Sequence, residues 1–93
     1  MKRIYLGEYG DGHMLTCADP DKERILGYLR TAKPVAVAAG YFRDEMTGET
    51  LVGMDDLGYV SGGYSWSTKD IYHFERYDLA LELGFRTHAL GSL

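Results

Sequence analysis

A chain of 93 residues, 45% of them hydrophobic, is long enough for one domain over residues 1–93 and too apolar for intrinsic disorder. Its formal net charge of −4 disfavours direct binding to nucleic acid, because phosphate groups would be repelled. No apolar run approaches the ~18 residues of a membrane span. The apolar stretch after Lys2 and Arg3 is too short for a signal peptide, so we expect a cytoplasmic protein without membrane association.

The first half of the chain is predicted to form a strand, a helix and a second strand. Residues 4–6 read as a short strand, and three glycines punctuate the loop after it. Asp19 and Pro20 are typical of a helix start, and apolar residues at helical spacing predict a helix over 20–32. The run 35–42 is apolar on both alternating faces, which predicts a strand in the centre of a sheet.

The second half begins with a plausible strand over 50–54 and then a hairpin. The Gly62-Gly63 pair separates two aromatic-rich runs, as is typical of a tight hairpin turn in which φ is positive. With this pair as the turn, Tyr59 lies opposite Trp66 on the neighbouring strand.

The last part of the chain is predicted to be helical. Ser67 with Asp70 three residues later resembles a capping box. The helix that starts there either continues to Leu83 with Gly84 as its end, or breaks near Asp78 and leaves a second short helix over 85–90. The order β-α-β-β-β-β-α predicts an α+β fold, with a small antiparallel sheet of 4–5 strands and two or three helices packed on one side.

The net charge is concentrated in one stretch of the chain. Segment 43–56 carries five acidic residues and one arginine, whereas acidic and basic residues balance in the rest. Acidic turns often serve solubility alone. The functional interpretation is an acidic patch that attracts a basic partner, with exposed tyrosines as anchoring contacts. The predicted partner-binding residues are Asp44, Glu45, Glu49, Asp55, Asp56, Tyr59 and Tyr64.

The chemistry-bearing residues form no recognisable catalytic, cofactor-binding or metal-binding set. Cys17 is the only cysteine, so an intrachain disulfide is excluded, and its proximity in sequence to His13 does not establish a nucleophile and base. His13, His73 and His88 could bind a metal only if the tertiary fold brought them together. We therefore predict no enzymatic activity, no cofactor and no metal.

The C-terminal part of the chain resembles a group of short, mostly actinobacterial proteins of uncharacterised activity. Their pattern is an aspartate-glycine turn, an aromatic pair, a short helix with aromatics, then Tyr-x-Val-x-Leu-Pro and a Phe-x-x-His ending. The matching residues are Gly63, Tyr64, Ser65, Trp66, Tyr72, Tyr77, Leu79, Leu81, Phe85 and His88. Glu82 replaces the proline and Gly62 the aspartate. The resemblance implies a compact α+β unit with a broken C-terminal helix and implies no activity.

These observations favour a small acidic protein that binds and occludes a basic protein or nucleoprotein complex, as an anti-CRISPR or toxin-immunity protein does. The alternative is a structural module, for example a homodimer formed through its tyrosines. A small enzyme or metal-binding protein centred on His13, Cys17 or His73 is a third interpretation, supported only by scattered residues.

Overall fold

The computed structural model describes residues 2–6, 16–37, 40–53 and 56–91. Within them it has an α+β fold with helices packed against a sheet, as predicted. The elements in chain order are β1 (Lys2–Arg3), α1 (Lys22–Thr31), β2 (Pro34–Val37), β3 (Tyr41–Arg43), β4 (Thr50–Val52), β5 (Leu57–Ser61), β6 (Tyr64–Ser67), α2 (Thr68–Tyr77) and α3 (Leu83–Gly91).

The strands form two sheets, one of four strands in the order β1-β6-β5-β2 and one of two strands, β3 and β4. The larger sheet is mixed, whereas an antiparallel sheet was predicted, because β1 pairs parallel to β6. The chain between β1 and β6 is long enough to return in the same direction, which a tight hairpin does not allow. The prediction of a strand over 4–6 is wrong, because β1 covers Lys2–Arg3 and Tyr5 takes part in an isolated bridge to Leu81 outside the strands.

The apolar run 35–42 is divided between two sheets, so the prediction of one central strand is wrong. Its first part is β2, an edge strand of the larger sheet, and all four residues of β2 are exposed. Its last part begins β3, which pairs antiparallel with β4. Apolar residues on both faces allow a strand to be buried in the centre of a sheet, but they do not require it, because apolar side chains also occur at the surface.

The predicted hairpin of β5 and β6 is confirmed. Gly62 and Gly63 form its turn with φ of 59° and 84°. Tyr59 lies directly opposite Trp66, and their stacked rings have centroids 5.9 Å apart. Because both side chains are buried, this cross-strand pair links the hairpin to the core under the helices.

The start of α1 differs from the prediction, and the helices decide between the two C-terminal interpretations. α1 lies within the predicted 20–32 but begins at Lys22, with Asp21 at its N-cap in place of the predicted Asp19. The capping box at the start of α2 is present, and the Ser67 N–H donates to Asp70 Oδ2 at 3.0 Å. The chain breaks at Asp78, which adopts a left-handed φ of 56°, and a separate helix α3 comes after it. Gly84 therefore lies inside α3 and does not end α2.

The core fills the space between the helices and one face of the larger sheet. Its buried members are Ile4, Ile25, Leu26, Leu29, Tyr59, Trp66, Ile71, Phe74, Leu79, Leu81, Phe85 and Ala89. None of the helices in the described part of the chain is long and apolar enough to cross a bilayer.

Candidate functional site

The hairpin of β3 and β4 stands outside the larger sheet and has two different faces. Tyr41 pairs with Val52 and Arg43 pairs with Thr50, so these four side chains share the outer face, where all are exposed. The inner face carries Phe42, which is buried against α2. The Phe42 ring contacts the ring of Tyr72, with centroids 5.5 Å apart in an edge-on arrangement.

A buried carboxylate attaches this hairpin to α2. Asp44 comes directly after β3 and is 1% exposed. Its Oδ2 accepts hydrogen bonds from the hydroxyls of Tyr72 at 2.6 Å and Tyr77 at 2.5 Å. Its Oδ1 accepts from the backbone N–H groups of Met46 at 2.9 Å and Thr47 at 3.1 Å. One carboxylate thus orders the turn of the hairpin and ties it to two residues of one helix.

These hydrogen bonds determine the charge state of the cluster. Burial opposes ionisation of Asp44, but the donors Tyr72, Tyr77, Thr47 and Met46 together hold the pKa of its carboxyl far below the usual range. In turn the hydrogen bond to Asp44, together with burial, raises the pKa of Tyr72 to about 12. Asp44 is therefore ionised at neutral pH while Tyr72 remains protonated.

A buried histidine makes a second attachment of the hairpin. His73 on α2 is fully buried, and its Nδ1 lies 2.7 Å from the carbonyl oxygen of Lys69. A carbonyl oxygen only accepts, so Nδ1 carries the proton and Nε2 is the acceptor of the ring. Nε2 accepts the backbone N–H of Glu45 at 3.0 Å. The neutral imidazole therefore bridges the helix backbone to the hairpin backbone.

The hydrogen-bonding capacity of the Asp44 carboxylate is filled by internal donors. A carboxylate offers about four lone-pair positions. Four donors from the described residues already point at Asp44, and they leave no position for the proton of a substrate. A general base must come within hydrogen-bond reach of the proton that it removes. The cluster therefore attaches the hairpin to α2.

The structure places the acidic residues of segment 43–56 in different environments. Asp44 was predicted to contact a partner, and its burial removes its side chain from any such surface in this conformation. Its local hydrogen bonds and the tyrosines of α2 explain the burial. Glu45 is half-buried, and its Oε1 pairs with Lys69 Nζ at 2.6 Å, so much of its charge is neutralised locally.

Of the remaining acidic residues, Glu49 is exposed in the turn of the hairpin. Asp56 is half-buried, and its Oδ1 accepts the backbone N–H of Lys69 at 3.1 Å near the start of α2. Asp55 lies outside the described residues. The accessible negative charge of the described hairpin is therefore smaller than the sequence indicates.

The two tyrosines predicted to contact a partner are part of the packed structure. Tyr59 is 9% exposed and packs against Trp66, because its strand faces the helices on that side. Tyr64 is half-buried, and its ring packs against Phe85 with centroids 5.2 Å apart. Burial, with a hydrogen bond to Glu82, raises the pKa of Tyr64.

The sequence did not predict the exposed apolar residues of the hairpin, which lie on its outer face and in its turn. Tyr41, Met46 and Val52 are 59%, 54% and 81% exposed. Tyrosine and arginine are enriched in protein interfaces, and the outer face carries one of each. If the run 35–42 had been divided into two strands, the alternation of side chains along β3 and β4 would have placed Tyr41 and Val52 on the same face of the hairpin.

A second hydrogen-bonded cluster joins α1, β5 and α3. The Tyr28 hydroxyl lies 2.6 Å from Ser61 Oγ and 2.9 Å from His88 Nε2. A serine nucleophile requires its base within direct reach, whereas here the Tyr28 hydroxyl lies between Ser61 and His88. The cluster links three elements and lacks the geometry of a catalytic pair.

An open cavity of about 370 Å³ lies beside Cys17, one of the residues on which the interpretation as a small enzyme or metal-binding protein was centred. Cys17 is exposed and lines this cavity together with Leu83 and Arg86. The Arg86 guanidinium donates to Asp19, with Nε–Oδ2 at 2.5 Å and Nη2–Oδ1 at 2.9 Å, and also reaches Asp21. Asp19 and Asp21 therefore compensate the positive charge of Arg86.

The described residues contain no group of three or more His, Cys, Asp or Glu side chains that could hold a metal ion. His13 lies outside the described residues, so the structure does not test whether it is within reach of Cys17. No protein-family model matches the sequence, and neither a curated protein nor a solved structure matches it significantly. The resemblance to short actinobacterial proteins therefore stays a prediction.

We expect Asp44→Asn to destabilise the protein by about 2 kcal/mol, because it removes a buried charge that accepts four hydrogen bonds. Glu45→Gln is the matched control, since it removes the neighbouring charge from a partly exposed ion pair and is expected to cost under about 1 kcal/mol. Urea unfolding monitored by tryptophan fluorescence measures both. Equal effects would contradict the proposed role of Asp44.

The lowered pKa of Asp44 also predicts how stability depends on pH. Unfolded aspartate titrates near pH ~3.9, and the folded carboxyl titrates lower. The stabilisation is therefore complete above the unfolded value and is lost as the pH falls below it. The free energy of unfolding of the wild type should fall more steeply than that of Asp44→Asn between about pH 5 and pH 2. Parallel curves would show that Asp44 has no such role.

Proposed function

We propose that this protein binds another protein through the outer face of the β3–β4 hairpin and thereby occludes a functional surface of that partner. The inhibitor or antidote class fits a small chain with one attached, exposed hairpin. The observation that carries the proposal is an exposed apolar pair, Tyr41 and Val52, on an element that a buried carboxylate fixes to the domain.

Attachment of the hairpin supports a binding role because it lowers the entropic cost of association. A loop that must become ordered on binding loses part of its interaction energy, whereas a preorganised one does not. Here Asp44 and His73 hold both the turn and its backbone against α2. The exposed outer face can therefore contact a partner without first folding.

The overall charge favours a basic partner. The chain carries −4, and Glu49 is exposed at the turn of the hairpin. Charges of opposite sign accelerate encounter over distances of about a Debye length, ~8 Å at physiological salt. Because Asp44 is internal and Glu45 is paired with Lys69, we assign the contact energy to the apolar residues and the steering to the net charge.

Self-association is the second candidate function, and the same exposed pair of side chains supports it. In a homodimer Tyr41 and Val52 would be covered by a second copy. Light scattering separates the two cases, since a chain that is monomeric at ~100 μM has no interface of the ~1,200–2,000 Å² that stable complexes bury.

The test is affinity capture from a bacterial lysate with the full chain as bait, followed by titration of each captured protein in purified form. We expect to capture a basic protein whose binding weakens at about 0.5 M salt, because dissolved ions then screen charges that are more than a few ångström apart. Tyr41→Ser combined with Val52→Ser should reduce its affinity by roughly 30-fold, as expected for the loss of about 2 kcal/mol at a hot spot.

Leu83→Ser provides the matched control because Leu83 is an exposed apolar residue on α3, away from the hairpin. Glu23→Lys and Glu49→Lys form a second matched pair, since both reverse one exposed charge and only Glu49 lies in the hairpin. A partner that binds the outer-face variant as tightly as the wild type would refute the proposal.

A further inference from the structure

The two edges of the four-stranded sheet are protected differently. β1 forms one edge, and both of its residues, Lys2 and Arg3, are charged and exposed. β2 forms the other edge and contains no charged residue, while its side chains Val35 and Val37 are 66% and 69% exposed. No strand among the described residues pairs with the outer side of β2. Charged edge residues prevent unwanted strand pairing, and β2 has none. Pro34 and the irregular register between Pro34 and Ala36 limit pairing at the start of β2, so the open part of the edge is its end, at Ala36 and Val37.

The helices cover the sheet only as far as β5. Pro34 pairs with Tyr59 and Val37 pairs with Leu57, and paired residues point to the same face. Tyr59 is buried under the helices, yet Pro34 and Val37 on the same face are exposed. β2 therefore extends beyond the helix layer with an uncovered apolar side.

A cavity of about 240 Å³ lies on the same side of the sheet, one strand in from β2, and no residue of β2 lines it. Its wall includes Tyr59, the pairing partner of Pro34, together with Ile71 and Tyr72 of α2. Arg30 and Glu75, which form an ion pair with each other, also line it. One water occupies roughly 30 Å³ of liquid, so this space has room for one large apolar or aromatic side chain.

The charge at the start of β2 is positive. Arg30 and Glu75 neutralise each other, whereas the exposed Lys33, immediately before β2, has no ion-pair partner among the described residues. A carboxylate close to the start of β2 would therefore be attracted to Lys33.

We propose that β2 and this cavity form a binding groove for an extended segment of another protein. The backbone of the segment pairs with the open edge of β2, one large apolar side chain enters the cavity, and an acidic side chain contacts Lys33. In strand addition of this type, main-chain hydrogen bonds supply affinity and pockets for side chains supply specificity.

A second copy of this chain fits the groove less well. Pairing two copies of β2 joins two four-residue strands of about 13 Å each. Stable dimers bury about 1,200–2,000 Å², more than such a short contact supplies. A separate segment can contact the strand edge, the cavity and Lys33 together.

The test is selection of a phage-displayed library of random dodecapeptides on the intact protein, followed by fluorescence anisotropy with the enriched peptides. We expect enrichment of peptides with a large apolar residue and a nearby acidic residue. Val37→Lys should weaken their binding at least tenfold, and Lys33→Glu about fivefold, as expected for one exposed ion pair. N-methylation of the peptide backbone should abolish the binding.

Val52→Lys is the matched control, since it makes the same exchange at an exposed valine of the hairpin and leaves the groove intact. It also separates this proposal from the proposed function, because it alters the hairpin alone. Failure to enrich any peptide, or equal binding of the enriched peptides by wild type and Val37→Lys, would overturn the groove. Chemical shift changes confined to the hairpin amides would overturn it as well.

Discussion

A buried carboxylate holds the exposed part of this molecule in place. Asp44 receives four hydrogen bonds, two from its own turn and two from tyrosines of α2. A buried charge is tolerated only when its hydrogen-bonding capacity is filled, and this requirement fixes the hairpin to one position on the helix. His73 imposes the same position through the backbone of Glu45. The outer face of the hairpin is therefore presented in a defined orientation.

This constraint changes how the negative charge of the chain is interpreted. The acidic segment 43–56 contains the whole formal imbalance, but its first acid is internal and its second is paired with Lys69. Charge that is engaged in internal contacts does not act directly on a partner. The protein then offers two surfaces of different character: an apolar hairpin face around Tyr41 and Val52, and an uncharged strand edge at β2.

The parts of the fold that depend on local chemistry could be predicted from the sequence. The capping box at Ser67 and the pairing of Tyr59 with Trp66 depend on short-range spacing, and both are present. The burial of Asp44 could not be predicted, because an aspartate in a polar turn is ordinarily exposed and its tyrosine donors lie 28 and 33 residues away. The edge position of β2 was missed because alternation of apolar residues describes faces and not the place of a strand in a sheet.

Hydrogen exchange of the backbone amides, measured by NMR on the wild type and Asp44→Asn, tests the central claim most directly. Exchange separates local opening from global unfolding. If Asp44 holds the hairpin, the amides of β3 and β4 lose protection in the variant while those of β5 and β6 keep more of theirs. Equal loss of protection in both hairpins, or unchanged protection in β3 and β4, would contradict the account.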